Sequence, residues 1–169
     1  MPVGSGPHDH EVNTTPLADP HRRAAVAWVE ELRPAECWAH LAEAPLGRLG
    51  LIRSARMLLL PVNHAVERGT VVFRTDTTSV LGRLRPGDPV VFEVDDYDAE
   101  TMTGWSVMAN GTIELVDRAG CDLENPPEPW VPGTNDVWMR IVGMRPTGRT
   151  LHRHRRDSEG RFLPFVPVD

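Results

Sequence analysis

From residue 46 onward the chain alternates apolar with polar or small residues: Leu49 and Leu51 are interleaved with Arg48 and Gly50, and apolar runs follow at 57–62 and 70–75. A period of two sends successive side chains to opposite faces, so these segments are predicted as consecutive antiparallel strands. Glu67-Arg68-Gly69 supplies a tight turn between the second and third, with Gly69 free to take positive φ. Residues 89–94 read as a buried strand, and 137–144 and 150–154 as closing strands. Residues 104–116 read either as a strand pair turning at Asn110-Gly111 or as one long strand bulged there, because both use the same glycine freedom.

Upstream the period changes. Cys37, Trp38, Leu41 and Ala42 stand at helical spacing after Pro34, and the pattern stops at Ala44-Pro45, which predicts a helix. Asp19-Pro20 has the form of an N-cap followed by a first helical residue. Ala24, Ala25, Trp28, Val29 and Leu32 then make an apolar stripe, although Val26 to Val29 also suits an extended entry. Residues 77–84 read as a short helix, 117–122 as a helical turn and 124–135 as a Pro-rich loop. Residues 1–18 lack apolar periodicity and are expected to be a disordered tail, 19–156 one domain and 157–169 a C-terminal tail. Strands predominate, so the expected class is mainly β: an antiparallel barrel with short peripheral helices.

Composition narrows the chemistry. The chain has 169 residues, 40% of them hydrophobic and 25% charged, which suits one soluble globular domain. A net charge of −6 argues against nucleic acid or an anionic membrane surface as partner and favours a small molecule. All 18 basic residues are Arg, so a lysine nucleophile or Schiff base is excluded, and an anion site must use Arg, backbone amides or hydroxyls. Only Cys37 and Cys121 are present, with no leader-like start and no long apolar run, so the expected location is the cytoplasm. His8-Asp9-His10 and His152-Arg153-His154 lack further ligands at useful spacing, and no metal site is expected.

The order Glu36-Cys37-Trp38, Pro45-Leu46-Gly47-Arg48-Leu49, Pro61-Val62-Asn63, Val72-Phe73-Arg74-Thr75 and Gly104-Trp105-Ser106-Val107 resembles the pyridoxamine 5′-phosphate oxidase-like family of flavoproteins. Trp138-Met139-Arg140-Ile141 and Thr147-Gly148-Arg149 extend the resemblance to about two-thirds of the chain. It implies a six-stranded split β-barrel, a homodimer and flavin sites at the dimer interface. Such sites usually hold FMN and sometimes a deazaflavin coenzyme or haem. The function it implies is an FMN-dependent oxidoreductase acting on a small-molecule substrate. A non-catalytic flavin-, deazaflavin- or haem-binding barrel is the alternative.

FMN needs a wall for a flat apolar ring and donors for a phosphate. The resemblance places Pro61, Val62 and Asn63 at the ring edge through their main chain. Phe73 lies in the matching strand, and Arg74, Thr75, Thr78 and Ser79 gather a guanidinium and hydroxyls suited to phosphate. Trp105 is expected to cover a ring face and Ser106 to donate to its rim, with Arg83 or Arg85 from the same segment, or Arg140 or Arg149 from the partner subunit, as candidates to add charge at the phosphate. Redox chemistry at a flavin requires placement, so no catalytic side chain is assigned, although His64 follows the strand motif directly. Family members carry Lys just before the position of Leu81. Here Val80 stands there, and the phosphate loses a charge.

Overall fold

The computed structural model of the protein describes residues 27–153 except 122 and 124. The expected tails at 1–18 and 157–169, and the stripe from Asp19 to Val26, lie outside the described residues. Ala27–Glu31 is a strand, β1, with every residue exposed. Of the two readings of the apolar stripe, helix or extended entry, the extended one holds from Ala27, because its backbone groups find partners along the edge of another strand.

Helix α1, Pro34–Glu43, follows the sequence reading. Pro34 occupies its first turn, where a missing N–H costs nothing, and Glu36 accepts from the Arg33 backbone N–H at 2.7 Å. It ends at Ala44, which is extended ahead of Pro45, and buries Cys37 and Leu41 against the barrel.

Strands β2 (Leu46–Arg53), β3 (Arg56–Glu67) and β4 (Thr70–Thr75) form the predicted meander. Each hairpin turns on two residues with positive φ: Arg68 at 48° and Gly69 at 75°, and Ser54 at 50° and Ala55 at 59°. Strands β5 (Pro89–Asp98), β6 (Thr103–Val116), β7 (Val137–Val142) and β8 (Thr147–Arg153) complete the sheet. Its order is β1-β8-β6-β5-β2-β3-β4-β7, and β7 pairs back onto β6. Six strands thus close into a ring, with β8 and β1 continuing outside it from β6.

Strand β6 makes this closure possible. It runs unbroken beside β5 while its first half, from Gly104, pairs with β8 and its second half, from Thr112, with β7. Asn110-Gly111 therefore lies within one long strand and forms no hairpin. Gly111 is needed for close approach: a Cβ there would stand 2.6 Å from Ile141 Cγ2 and 2.7 Å from the Val142 carbonyl oxygen. The ring is filled by Leu49, Phe73, Phe92, Val94, Val107, Ile113, Met139 and Ile141, with α1 closing one side through Leu41.

The helix expected at 77–84 does not form. A turn leads into a single 3₁₀ turn, Leu81–Arg83, in which Ser79 Oγ accepts the Gly82 N–H at 2.9 Å. Gly82 lies so tightly against the Asp76 backbone that a side chain there has no room, and Pro86 follows at once. The helical turn near 117 is likewise a 3₁₀ turn, Arg118–Gly120. Residues 125–136 form the expected Pro-rich loop.

Candidate functional site

A cleft of about 420 Å³ opens on the outer face of the ring, where the middle of β3 meets the end of β4. One wall is Pro61, Val62 and Asn63, another is Arg74 and Thr75 with the turn Asp76, Thr78 and Ser79, and the third is the Pro-rich loop from Pro129 to Asn135. Seven residues singled out from the sequence therefore converge: Pro61, Val62, Asn63, Arg74, Thr75, Thr78 and Ser79. The size suits a small-molecule site.

Three hydrogen bonds fasten the loop across the cleft. Asn63 Oδ1 accepts the Trp130 backbone N–H at 3.0 Å, while Asn63 Nδ2 donates to the Pro45 carbonyl at 3.0 Å. Arg74 donates from Nε to the Asn135 carbonyl at 3.1 Å, with its guanidinium 4.8 Å over the Trp138 ring. Thr134 donates from Oγ1 to Asp76 Oδ2 at 2.7 Å. Trp130 and Val131 stand exposed at the rim.

Asp76 organises the turn. Its Oδ1 accepts the Thr78 backbone N–H at 2.8 Å and the Thr78 hydroxyl at 2.6 Å. These bonds, with that from Thr134, hold its carboxyl down at about 2, so it is ionised at neutral pH. The other hydroxyls are also engaged: Thr75 Oγ1 lies 2.7 Å from Ser79 Oγ, which caps the 3₁₀ turn. Val80, where a Lys was expected, is exposed and brings no charge.

Four predicted residues lie away from the cleft within the protomer. Phe73 is fully buried in the core. Trp105 packs against the core and stacks on His40, ring centroids 4.0 Å apart. Ser106 points to the opposite side of β6, the side shared by the exposed Met108. Arg140 donates from Nη2 to Glu67 Oε2 at 2.7 Å, across the neighbouring strands β7, β4 and β3. His64 faces the barrel interior, bonded through Nε2 to the Leu41 carbonyl at 2.7 Å and edge-on to Phe92, and burial pushes its pKa down.

Sequence reasoning missed Asp76, Trp130, Thr134 and Asn135. A long Pro-rich loop carrying an exposed Trp was the available signal, since long loops in compact domains are often functional. Among the described residues no group of three His, Cys, Asp or Glu side chains is placed to hold a metal ion. No helix among them is long and apolar enough to cross a membrane.

A closed six-stranded antiparallel ring with a side cleft defines a split-barrel protein. The chain belongs to the pyridoxamine 5′-phosphate oxidase family, whose pattern it matches over residues 33–150. It is similar to the structure of an FAD-binding protein from Mycobacterium smegmatis, with TM-score 0.56 and 29% identity, covering 73% of this chain and 98% of that one. A candidate pyridoxamine 5′-phosphate oxidase from Corynebacterium glutamicum superposes with TM-score 0.61 at 32% identity, covering 72% and 97% of the two chains. An uncharacterised protein of Mycobacterium tuberculosis is 38% identical over 88 residues, a match spanning 49% of this chain and 58% of that relative.

Proposed function

We propose that the protein is a flavin-dependent oxidoreductase that holds FMN in the cleft between β3, β4 and the Pro-rich loop, and acts there on a small-molecule substrate. The observation that carries this reading is the convergence of Pro61, Val62, Asn63, Arg74, Thr75, Thr78 and Ser79 on one cleft. The family and the FAD-binding relative from M. smegmatis support a flavin. When bound, a flavin supplies hydride or electron transfer by itself, and the protein contributes placement and exclusion of water.

In this reading Pro61 and Val62 present an apolar wall and backbone groups to the ring, and the terminal nitrogens of Arg74 serve the phosphate end, since Arg74 engages the loop through Nε. Trp138 beneath the guanidinium fixes its plane. The loop with Trp130 covers the ligand from outside.

The reading includes a homodimer. Ile52, Met57, Leu59 and Met108 expose apolar side chains on the outer ring face that runs into Pro61, and Met57 is 87% exposed. The register sets Ile52 opposite Met57, and Gly50 opposite Leu59 and Val91, so they share one face. A second copy seated there buries this patch and brings its own Ser106 toward the first copy's cleft. Cys37 and Cys121 are both free thiols, which suits a reducing cytoplasm.

The test is an absorbance spectrum of the purified protein before and after FMN addition, followed by NAD(P)H under anaerobic conditions, with light scattering for mass. The expected result is a bound flavin that is bleached by reductant, on a dimer. A protein that binds FMN but never exchanges electrons with any donor would leave a carrier and remove the enzyme. A haem or deazaflavin spectrum would replace the cofactor.

A further inference from the structure

The donors best placed to receive a ligand's phosphate in this cleft already hold an anion, and that anion belongs to the chain. The Thr78 N–H, the Thr78 hydroxyl and the Thr134 hydroxyl all point at the Asp76 carboxylate, at 2.8, 2.6 and 2.7 Å. Asp76 lines the cleft beside Arg74. The charges of these two cancel, and Val80 adds none, so the phosphate end of the cleft has no net positive charge from its own side chains.

At neutral pH the FMN phosphomonoester carries nearly two negative charges on one phosphate, the FAD pyrophosphate one on each of its two phosphates, and the riboflavin ribityl hydroxyl none. Each added charge on the ligand meets the fixed carboxylate, which offsets the attraction of Arg74, while Arg53 is engaged at the same turn, donating from Nη1 to the Val80 carbonyl at 3.5 Å. We propose that Asp76 is the specificity-determining residue of the cleft, a charge filter that holds down affinity for a flavin ending in a phosphate relative to one ending in a free hydroxyl. This rests on the flavin reading above and adds which flavins the site distinguishes. The Thr134 hydroxyl, which also approaches Asp136 Oδ1 at 3.3 Å, fixes the position of the Asp76 carboxylate without neutralising it.

The test compares Asp76→Asn with the unaltered protein, using riboflavin, FMN and FAD as probes and flavin fluorescence as readout. Asn keeps the shape and one acceptor oxygen while removing the charge, and a thermal melt confirms folding. Asp76→Ala, which frees all three donors, is the second variant. The expected result is a gain in FMN affinity of about tenfold in Asp76→Asn, shrinking in high salt, with FAD gaining in the same direction and riboflavin changed less than about twofold. Equal changes for FMN and riboflavin, or no change for either, would overturn the charge filter while leaving the flavin site standing. Failure of all three flavins to bind any of the proteins would remove the flavin reading and the filter with it.

Discussion

Replacing Arg140 separates structure from ligand binding most cleanly. Its guanidinium reaches Glu67 Oε2 at 2.7 Å, and the two side chains are only 22% and 6% exposed. Its Nε is buried and unpartnered among the described residues, and Nη2 also approaches the Gly120 carbonyl at 3.4 Å. In Arg140→Met the aliphatic stem survives and the Glu67 carboxylate loses its cation. Breaking one side of such a pair costs about 3 kcal/mol, which lowers Tm by roughly 6–12 °C at this chain length. Glu67→Gln in the same background removes the carboxylate charge that faced the guanidinium and recovers part of the loss, so the double-mutant cycle shows coupling. Urea denaturation and melting of the four proteins measure it. FMN affinity, read on each, changes less than about twofold, because Arg140 is committed to Glu67 and not to the cleft. A melting point unchanged within 2 °C, combined with an FMN affinity lower by tenfold, would refute this reasoning and return Arg140 to the cofactor.

His64 predicts a pH dependence. Burial lowers its folded-state pKa beneath the ordinary 6.5, so the unfolded chain binds its proton first, and stability is full above about 6.5 and falls as pH drops below it. His64→Gln should flatten the decline in Tm between pH 7 and 5, and an identical slope would sink the assignment. Gly111→Ala forces a Cβ onto the Val142 carbonyl and Ile141, and should destabilise by about 2 kcal/mol in urea unfolding, whereas a neutral effect would show that β6 and β7 do not approach so closely. Asn63→Ala releases both Pro45 and the Trp130 N–H, so amide hydrogen exchange at Trp130, Val131 and Gly133 should quicken with a stability loss of about 1–2 kcal/mol, and unchanged exchange would mean the loop is held elsewhere.

The strands were legible because a half-buried ladder writes its period into the chain: Leu49 and Leu51 face the core and Arg48 does not. The Arg68-Gly69 turn was legible through its glycine, but Ser54-Ala55 takes the same left-handed turn without a signal residue, held by the pairing of β2 with β3. Strand β1 was ambiguous because all five residues are exposed, so no burial pattern marks it and only pairing with β8 fixes it. Gly111 carried a turn signal that tertiary closure overrode. In the cleft, the residues of β3 and β4 were singled out through the family's motifs, and their convergence needs only the β3–β4 pairing. The Asp76–Thr134 bond joins residues 58 apart and appears only when the loop folds back. The Arg140–Glu67 bond, between residues 73 apart, was hidden in the sequence for the same reason.

The account stands most directly on whether the cleft takes a flavin. Titrating the protein into FMN and following flavin fluorescence should give saturable quenching with one flavin per chain. Substituting Arg74 by Met should weaken it at least about tenfold without unfolding the barrel, a charge-assisted contact to phosphate being worth that much or more. Fluorescence that stays constant up to high protein concentration, or quenching indifferent to Arg74, would contradict it.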